Sequence, residues 1–282
     1  MKYTYSNGCA RFENVADFDI SQTLDCGQCF RFELVDGYWQ GISCSRFARF
    51  LQPSPDVLEI YADDADIEYW ISFLSLDTDY SSVKSDIASK FGGQTILSAM
   101  ECGSGIRILR QHPWETLISF IISQNNNIPR IKKIVESLCR EFGEPIKCGE
   151  NVYYAFPTPK ALFDAGEEAI FALKTGFRAR YIYDAASRVV DGRLDIDALC
   201  KMDSDSLNEA LLEICGVGPK VAACVSLFGF GHTEAFPIDV WVKRIMQKYY
   251  PDGLDIKSLG QYAGVAQQYL FYYERYLGGD KN

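Results

Sequence analysis

Residues 211–250 read LLEICGVGPKVAACVSLFGFGHTEAFPIDVWVKRIMQKYY. Gly216 and Gly218 disfavour a helix interior, because each glycine costs about 1 kcal/mol there, and both tolerate the positive φ of a tight turn. Pro219 favours the first position of a new helix, where its missing N–H costs nothing. The stretch therefore predicts two helices joined by a tight hairpin, at about residues 204–230, followed by a loop and a third helix.

Two charged residues stand at the starts of predicted helices. Lys220 follows Pro219, and Asp239 follows Pro237 later in the same stretch. Free N–H groups at a helix N-terminus form an anion site that suits a backbone phosphate. The positive end of the helix dipole disfavours an ammonium group, and a free amine there is a nucleophile that can form a Schiff base. A carboxylate at Asp239 would face the positive charge that develops on a sugar when its base leaves. The alternative interpretation is an ordinary helical corner with a solvent-exposed lysine.

Several segments together resemble one family of DNA repair enzymes. The hairpin with Lys220 and the loop with Asp239 resemble the helix-hairpin-helix-GPD superfamily of DNA glycosylases, whose bifunctional members carry a lysine in the hairpin. Three further segments resemble 8-oxoguanine DNA glycosylases of the two-domain type: Cys26-Gly27-Gln28-Cys29-Phe30-Arg31, Ile122-Ser123-Gln124-Asn125-Asn126-Asn127-Ile128 and Gly176-Phe177-Arg178-Ala179-Arg180-Tyr181. The resemblance extends from about Asp17 to Tyr273.

The resemblance implies a pocket for a flipped base. Its catalytic residues would be Lys220 and Asp239. The Gly27 carbonyl would accept a hydrogen bond from N7–H of 8-oxoguanine, whereas N7 of normal guanine is itself an acceptor. Phe271 and Cys224 would contact opposite faces of the base, and Gln267 would bind its Watson–Crick edge. Without the resemblance, Gly27 is a turn glycine, Cys224 and Phe271 are core residues and Gln267 is exposed.

The resemblance also implies the contacts with the rest of the DNA. The implied duplex and orphan-base contacts are Asn125, Arg130, Phe177, Arg178, Gly216 and Gly218. One asparagine is also explained as a helix N-cap, and both arginines as phosphate contacts or solvated side chains. The chain departs from the family at two places: Phe177 stands where a tyrosine wedge is frequent, and Trp241 where the mammalian enzymes carry a histidine.

The charge of the chain at first argues against DNA binding. The 282 residues carry a formal net charge of −10, whereas phosphate neutralisation favours basic proteins. The charge is unevenly distributed, however, since residues 1–100 hold fifteen acidic and seven basic residues, while residues 101–135 hold five basic and two acidic ones. We therefore expect a local basic face, with binding that weakens steeply with salt.

The pattern of residues predicts an α+β protein. Residues 1–104 are rich in aromatic and β-branched runs, with Asp36-Gly37 as a hairpin signal, and predict an antiparallel β-sheet domain with a few helices. Residues 105–282 predict a mostly α-helical domain that continues in helices from Ile106 to the end. The buried face of one such helix is indicated by Ile131, Ile134, Val135 and Leu138.

The sequence gives no sign of a cofactor or a membrane segment. The ten cysteines are expected to be reduced thiols, because the N-terminus lacks a signal-peptide pattern. The Cys26–Cys29 pair has no second pair at zinc spacing, and no cysteine follows Cys224, which argues against a C-terminal iron–sulfur loop. We expect a monomer without cofactor or metal, intracellular, and in the cytoplasm or nucleoid if bacterial. The family also allows a cation at hairpin carbonyls near Leu212, Ile214 and Val217.

The sequence therefore predicts a bifunctional DNA glycosylase/AP lyase. Its partner is duplex DNA with 8-oxoguanine opposite cytosine, and the reaction passes through a lysine Schiff base and β-elimination. One alternative is a glycosylase for another oxidised base, against which Gly27, Gln267 and Phe271 argue. The other is a non-catalytic helix-hairpin-helix module, which would not need Lys220 together with Asp239.

Overall fold

The computed structural model describes residues 2–91 and 93–277. Its strands are β1 (Tyr3–Ser6), β2 (Cys9–Glu13), β3 (Phe32–Val35), β4 (Tyr38–Ser43), β5 (Arg46–Ser54), β6 (Val57–Tyr61), β7 (Pro145–Cys148) and β8 (Asn151–Tyr154). Its helices are α1 (Ile20–Asp25), α2 (Ile67–Phe73), α3 (Tyr80–Phe91), α4 (Gln94–Cys102), α5 (Pro113–Ser123), α6 (Ile128–Phe142), α7 (Pro159–Ile170), α8 (Arg178–Val190), α9 (Ile196–Leu199), α10 (Ser204–Leu212), α11 (Pro219–Gly229), α12 (Val240–Tyr249) and α13 (Ala263–Leu277). This arrangement confirms the predicted α+β class.

The N-terminal sheet is antiparallel and six-stranded, in the order β1-β2-β6-β5-β4-β3. Strands β3 and β4 meet at the predicted hairpin, where Asp36 has φ 51° and Gly37 has φ 83°, the left-handed pair that a two-residue turn requires. Alternate side chains of the strands face one core, which includes Phe12, Phe50 and Trp70. The sheet and α2 thus form one hydrophobic layer.

A second hydrophobic core lies among the helices. The predicted face of α6 is buried within it, and so are most of residues 221–228 of α11, which are apolar except for Ser226. The buried side chains of α3 and α4, including Ile87 and Ile96, also belong to this helical core. A domain boundary at residue 104 stays a prediction, but these two helices pack with the elements that follow it.

The prediction that only helices follow Ile106 is wrong at one place. Strands β7 and β8 form a hairpin in which Cys148 pairs with Asn151 and Gly149 has φ 60°. Ile146, Val152, Tyr153 and Tyr154 favour strands, and Tyr153 stacks on Phe47 of the large sheet with ring centres 4.5 Å apart. The missed signal was a short aromatic and β-branched run beside a turn glycine.

No helix in the part of the chain that the structure describes is long and apolar enough to cross a membrane. Among the same residues, no group of three or more His, Cys, Asp or Glu side chains is arranged to hold a metal ion.

Candidate active site

The predicted hairpin joins α10 to α11. Gly216 has φ 78°, and a Cβ atom there would lie 2.3 Å from the ring of Tyr181, so both the turn and the packing require glycine. Gly218 is different, because its φ of −99° suits any residue and a Cβ atom would meet no other atom within 4 Å. It is the N-cap of α11 and offers no capping side chain. The N-terminus of α11 is thus open to an external acceptor.

Lys220 lies in the first turn of α11 and lines a cavity of about 640 Å³. Its Nζ donates to the Ser123 hydroxyl oxygen over 3.4 Å and lies 5.3 Å from the ring centre of Phe120. The Ser123 hydroxyl in turn donates to the Phe120 carbonyl over 2.8 Å. The Ser123 hydroxyl oxygen therefore presents a lone pair to Lys220, at the long end of the hydrogen-bond range.

Asp239 lines the same cavity and caps α12. Its Oδ1 accepts from the backbone N–H groups of Trp241 and Val242 over 2.9 and 2.8 Å. Both bonds use one carboxylate oxygen, so the cap fixes the orientation of the group while Oδ2 is left for a ligand. Trp241 and Lys243 also line the cavity.

Cys224 lies one turn after Lys220 on the buried side of α11. Burial raises the pKa of its thiol to about 11, although the nearby Lys220 opposes this shift. The thiol is therefore neutral near pH 7 and a poor nucleophile. Cys224 does not line the cavity directly, and the structure places it behind Lys220 as part of the core.

Gly27 and Phe271 face each other in the cavity wall. Gly27 has φ 86°, and a Cβ atom there would lie 3.6 Å from Cε1 of Phe271 and 3.5 Å from Cδ1 of Ile128. Phe271 is only partly buried. The sheet domain, α6 and α13 thus meet at this wall, which brings residues distant in sequence to one pocket.

Gln267 precedes Phe271 by one turn of α13 and is only 4% exposed. Its Oε1 is buried without a hydrogen-bond partner among the described residues. An unpaired buried acceptor costs about 1–3 kcal/mol, so folding alone does not explain a glutamine here. Gln267 is not in the lining of the cavity as it stands.

The loop between α5 and α6 carries the three asparagines. Asn127 caps α6 by accepting from the Arg130 N–H over 2.9 Å, and Asn126 donates to the Ile122 carbonyl over 3.0 Å. Asn125 is exposed and has φ 47°. The N-cap interpretation therefore accounts for Asn127, whereas Asn125 projects from the loop in a left-handed conformation.

The two arginines differ in exposure. Arg130 is exposed, and its guanidinium reaches the Lys174 carbonyl over 3.5 Å. Arg178 is only 2% exposed and donates from Nε to the Gln124 carbonyl over 2.9 Å and from Nη2 to the Asn125 carbonyl over 3.1 Å. Burial lowers the pKa of Arg178, and the Arg130 charge adds to this. In this conformation Arg178 holds the asparagine loop rather than facing outward.

Phe177 is 51% exposed at the start of α8. The Arg178 guanidinium lies 4.4 Å from the centre of its ring. The exposed ring and the asparagine loop are thus linked through one arginine.

Sequence reasoning missed several residues of this site. Ser123 was treated only as part of a motif, yet it contacts the amine of Lys220. Gln268 is 3% exposed and donates to the Cys26 carbonyl over 2.9 Å, beside Gly27. The available signal for Gln268 was a pair of adjacent glutamines within an apolar and aromatic run of α13.

Comparisons with known proteins identify relatives of this chain. A family model for the N-terminal domain of 8-oxoguanine DNA glycosylase matches residues 12–117, and one for HhH-GPD superfamily base excision DNA repair proteins matches residues 118–255. A probable N-glycosylase/DNA lyase of Methanothermobacter thermautotrophicus is 33% identical over 94% of this chain and 96% of its own length. The chain belongs to the 8-oxoguanine DNA glycosylase family of the HhH-GPD superfamily.

Two further members of this family are similar to the chain. The N-glycosylase/DNA lyase of Saccharomyces cerevisiae is 42% identical over 158 residues, which cover 52% of this chain and only 42% of the yeast protein. The Clostridium acetobutylicum 8-oxoguanine glycosylase/lyase, solved with double-stranded DNA containing cytosine opposite 8-oxoguanine, has a TM-score of 0.91 and 33% identity, with 99% of each chain covered.

Proposed function

We propose that the protein is a bifunctional DNA glycosylase/AP lyase that excises 8-oxoguanine from duplex DNA, opposite cytosine. The observation that carries the proposal is the shared cavity, which Lys220, Asp239, Gly27 and Phe271 line together. A cavity of about 640 Å³ has the size of an ordinary small-ligand site. It accommodates a nucleotide that has rotated out of the base stack.

Lys220 is the nucleophile of the proposed reaction. Its amine attacks the sugar C1′, the bond from C1′ to N9 breaks, and the electron pair leaves with the base. Asp239 stabilises the positive charge that develops on the sugar, because its carboxylate is already oriented by the α12 cap. The attacking amine loses a proton, the C1′–O4′ bond of the sugar ring breaks and O4′ takes up a proton, so that a C1′=N Schiff base forms. This Schiff base acidifies the 2′ proton, and loss of that proton by β-elimination breaks the bond between C3′ and its phosphate oxygen.

The pocket residues select the base. The Gly27 carbonyl accepts from N7–H, which only the lesion offers. Phe271 stacks on one face, with Cys224 behind the other, and the free Oε1 of Gln267 accepts from the Watson–Crick edge. Binding of the base would thus supply the partner that this oxygen lacks.

The protein contacts the duplex through loops and helix ends. The open N-terminus of α11 at Gly218 binds a backbone phosphate. Asn125 and Phe177 enter the space that the flipped nucleotide leaves. Arg130 and Arg178 bind the orphaned cytosine, which requires Arg178 to exchange its bonds to the loop carbonyls for bonds to DNA. Excision of lesions from chromosomal DNA implies an intracellular enzyme.

A panel of duplexes tests the substrate assignment. We expect base release under single turnover from 8-oxoguanine opposite cytosine, and no detectable release from guanine or from an oxidised pyrimidine. Phe271→Ala should slow release about tenfold or more, because stacking on an aromatic ring contributes about 1–3 kcal/mol per base. Tyr276→Ala is the matched control, since Tyr276 is an exposed ring on the same helix.

Two outcomes would contradict the assignment. Faster release of an oxidised pyrimidine than of 8-oxoguanine would favour a glycosylase for another lesion. Binding of all duplexes without release of any base would favour a non-catalytic helix-hairpin-helix module.

A further inference from the structure

One face of α13 is fastened to the loop that carries Gly27. Gln268 donates from Nε2 to the Cys26 carbonyl over 2.9 Å, and Arg275 donates from Nη1 to the Asp25 carbonyl over 3.1 Å. Phe271 lies between them at i+3 from Gln268, on the same helix face, and contacts the position of Gly27. The side chains of α13 therefore hold two carbonyls that directly precede Gly27.

The other side of Gly27 is equally fixed. Gln28 is fully buried, and its Nε2 donates to the carbonyls of Thr23 and Arg107 over 2.9 and 2.8 Å. Its Oε1 accepts from the Leu109 N–H over 2.9 Å. Gly27 has a positive φ, and glycine has more backbone freedom than any other residue. The residue type alone would therefore allow this loop to move. The neighbouring hydrogen bonds supply the constraint that the residue type does not.

A carbonyl distinguishes the two bases only if it cannot move away. Facing N7–H of the lesion it accepts a hydrogen bond, and facing N7 of guanine it meets a second acceptor. The repulsion in the second case is relieved if the loop shifts by a fraction of an ångström, since polar interactions fall off steeply with distance and angle. If the loop cannot shift, guanine is still repelled by the carbonyl. If the loop can shift, this repulsion disappears and the two bases are no longer distinguished.

We propose that Gln268 is a positioning residue that fixes the Gly27 carbonyl and thereby sets the discrimination between 8-oxoguanine and guanine. This inference rests on the proposed function, in which Gly27 reads N7. Gln268 acts through the Cys26 carbonyl and does not touch the base. Its 3% exposure keeps water from replacing the bond, so loss of the amide leaves the Cys26 carbonyl unpaired.

The test compares two affinities in a variant that cannot turn over. Lys220→Gln and the double variant Lys220→Gln/Gln268→Leu are titrated with matched duplexes that carry either 8-oxoguanine or guanine opposite cytosine. We expect the double variant to lower the ratio of the two affinities about fivefold, which is the effect of about 1 kcal/mol for one buried hydrogen bond. Arg275→Met in the same background should lower this affinity ratio to a smaller extent. It replaces Gln268→Leu in the test if that variant does not fold.

The control is Trp114→Phe, which removes a buried hydrogen bond of 2.9 Å to the Pro157 carbonyl away from the loop. It should lower thermal stability and leave the affinity ratio unchanged. If Gln268→Leu weakens binding of both duplexes equally, the affinity ratio is unchanged. Gln268 would then only stabilise the fold, and this inference would be wrong while the proposed function stands. If Lys220→Gln itself binds both duplexes equally, the substrate assignment fails together with the inference.

Discussion

Two adjacent glutamines of α13 have opposite hydrogen-bonding states. Gln267 is buried with an unpaired Oε1, whereas Gln268 is buried and bonded to the Cys26 carbonyl. A buried acceptor without a partner destabilises the folded state, and an apolar replacement of similar shape removes that cost. The same replacement at Gln268 instead leaves a buried carbonyl without its donor.

We therefore expect that leucine changes the free energy of unfolding in opposite directions at Gln267 and Gln268. Gln267→Leu should raise the free energy of unfolding by about 1 kcal/mol and weaken binding of 8-oxoguanine DNA, whereas Gln268→Leu should lower the free energy of unfolding by about 1–3 kcal/mol. Urea denaturation of the two variants in parallel measures this. A loss of stability at Gln267 as large as that at Gln268 would mean that Gln267 serves the fold rather than the base.

Of the residues predicted for the base pocket and the reaction, Lys220, Asp239, Gly27 and Phe271 line one cavity, whereas Cys224 and Gln267 do not. Arg178 was expected to reach DNA, yet its guanidinium is buried against the Gln124 carbonyl. A side chain with several donors satisfies them wherever carbonyls are offered, and which carbonyls are near depends on tertiary packing that a sequence pattern does not contain.

At the scale of the element, the hairpin contains two glycines with different reasons for being glycine. Gly216 is required by its positive φ and by the Tyr181 ring, whereas nothing within the described structure requires glycine at Gly218. From the sequence, both were predicted as turn glycines, and the different requirement at each position could not be predicted. Only the placement of Tyr181 against Gly216 does so.

We predict that alanine at the two glycines has separable effects. Gly216→Ala should lower thermal stability strongly, because a Cβ atom would overlap an aromatic ring in a left-handed turn. Gly218→Ala should fold with nearly the parent Tm and bind duplex DNA less tightly, because the new methyl group occupies the space of a phosphate. Unchanged DNA affinity in a folded Gly218→Ala protein would argue against a phosphate at this helix N-terminus.

The hairpin of β7 and β8 could not be predicted from the spacing of apolar residues. Its strands have only four residues each, too few for periodicity to distinguish them from a loop. Their partners are remote, since Tyr153 stacks on Phe47. Helix α6, by contrast, followed from its apolar spacing, and the start of α11 followed from Pro219.

For the whole molecule, the net charge of −10 opposes DNA binding, and the basic residues act locally. Arg130 is exposed beside the asparagine loop, whereas Arg140, at the other end of α6, is paired with Glu136 over 2.7 Å. The two lie about 15 Å apart along the helix axis. Only the first is expected to meet the duplex.

The dependence of DNA affinity on salt should reflect this difference. On a plot of log affinity against log salt concentration, Arg130→Ala should make the slope shallower by about 1, while Arg140→Ala leaves it unchanged. Equal slopes for the parent and both variants would mean that Arg130 neutralises no phosphate of the duplex.

The packing of the whole molecule brings residues that are distant in sequence to one cavity. Gly27 belongs to the sheet region, Lys220 to α11 and Phe271 to α13, yet all three line one cavity. The family resemblance anticipated this assembly. Composition and periodicity alone predicted two domains and did not predict how they pack together.

The central claim is that Lys220 forms a Schiff base with the sugar of an excised 8-oxoguanine. The most direct measurement is borohydride trapping on a duplex with one 8-oxoguanine opposite cytosine, with a guanine duplex and the Lys220→Gln protein as controls. We predict a covalent complex only with the lesion and only when Lys220 is present. A complex of equal yield with Lys220→Gln, or none with the parent protein while the duplex is bound, would contradict the account.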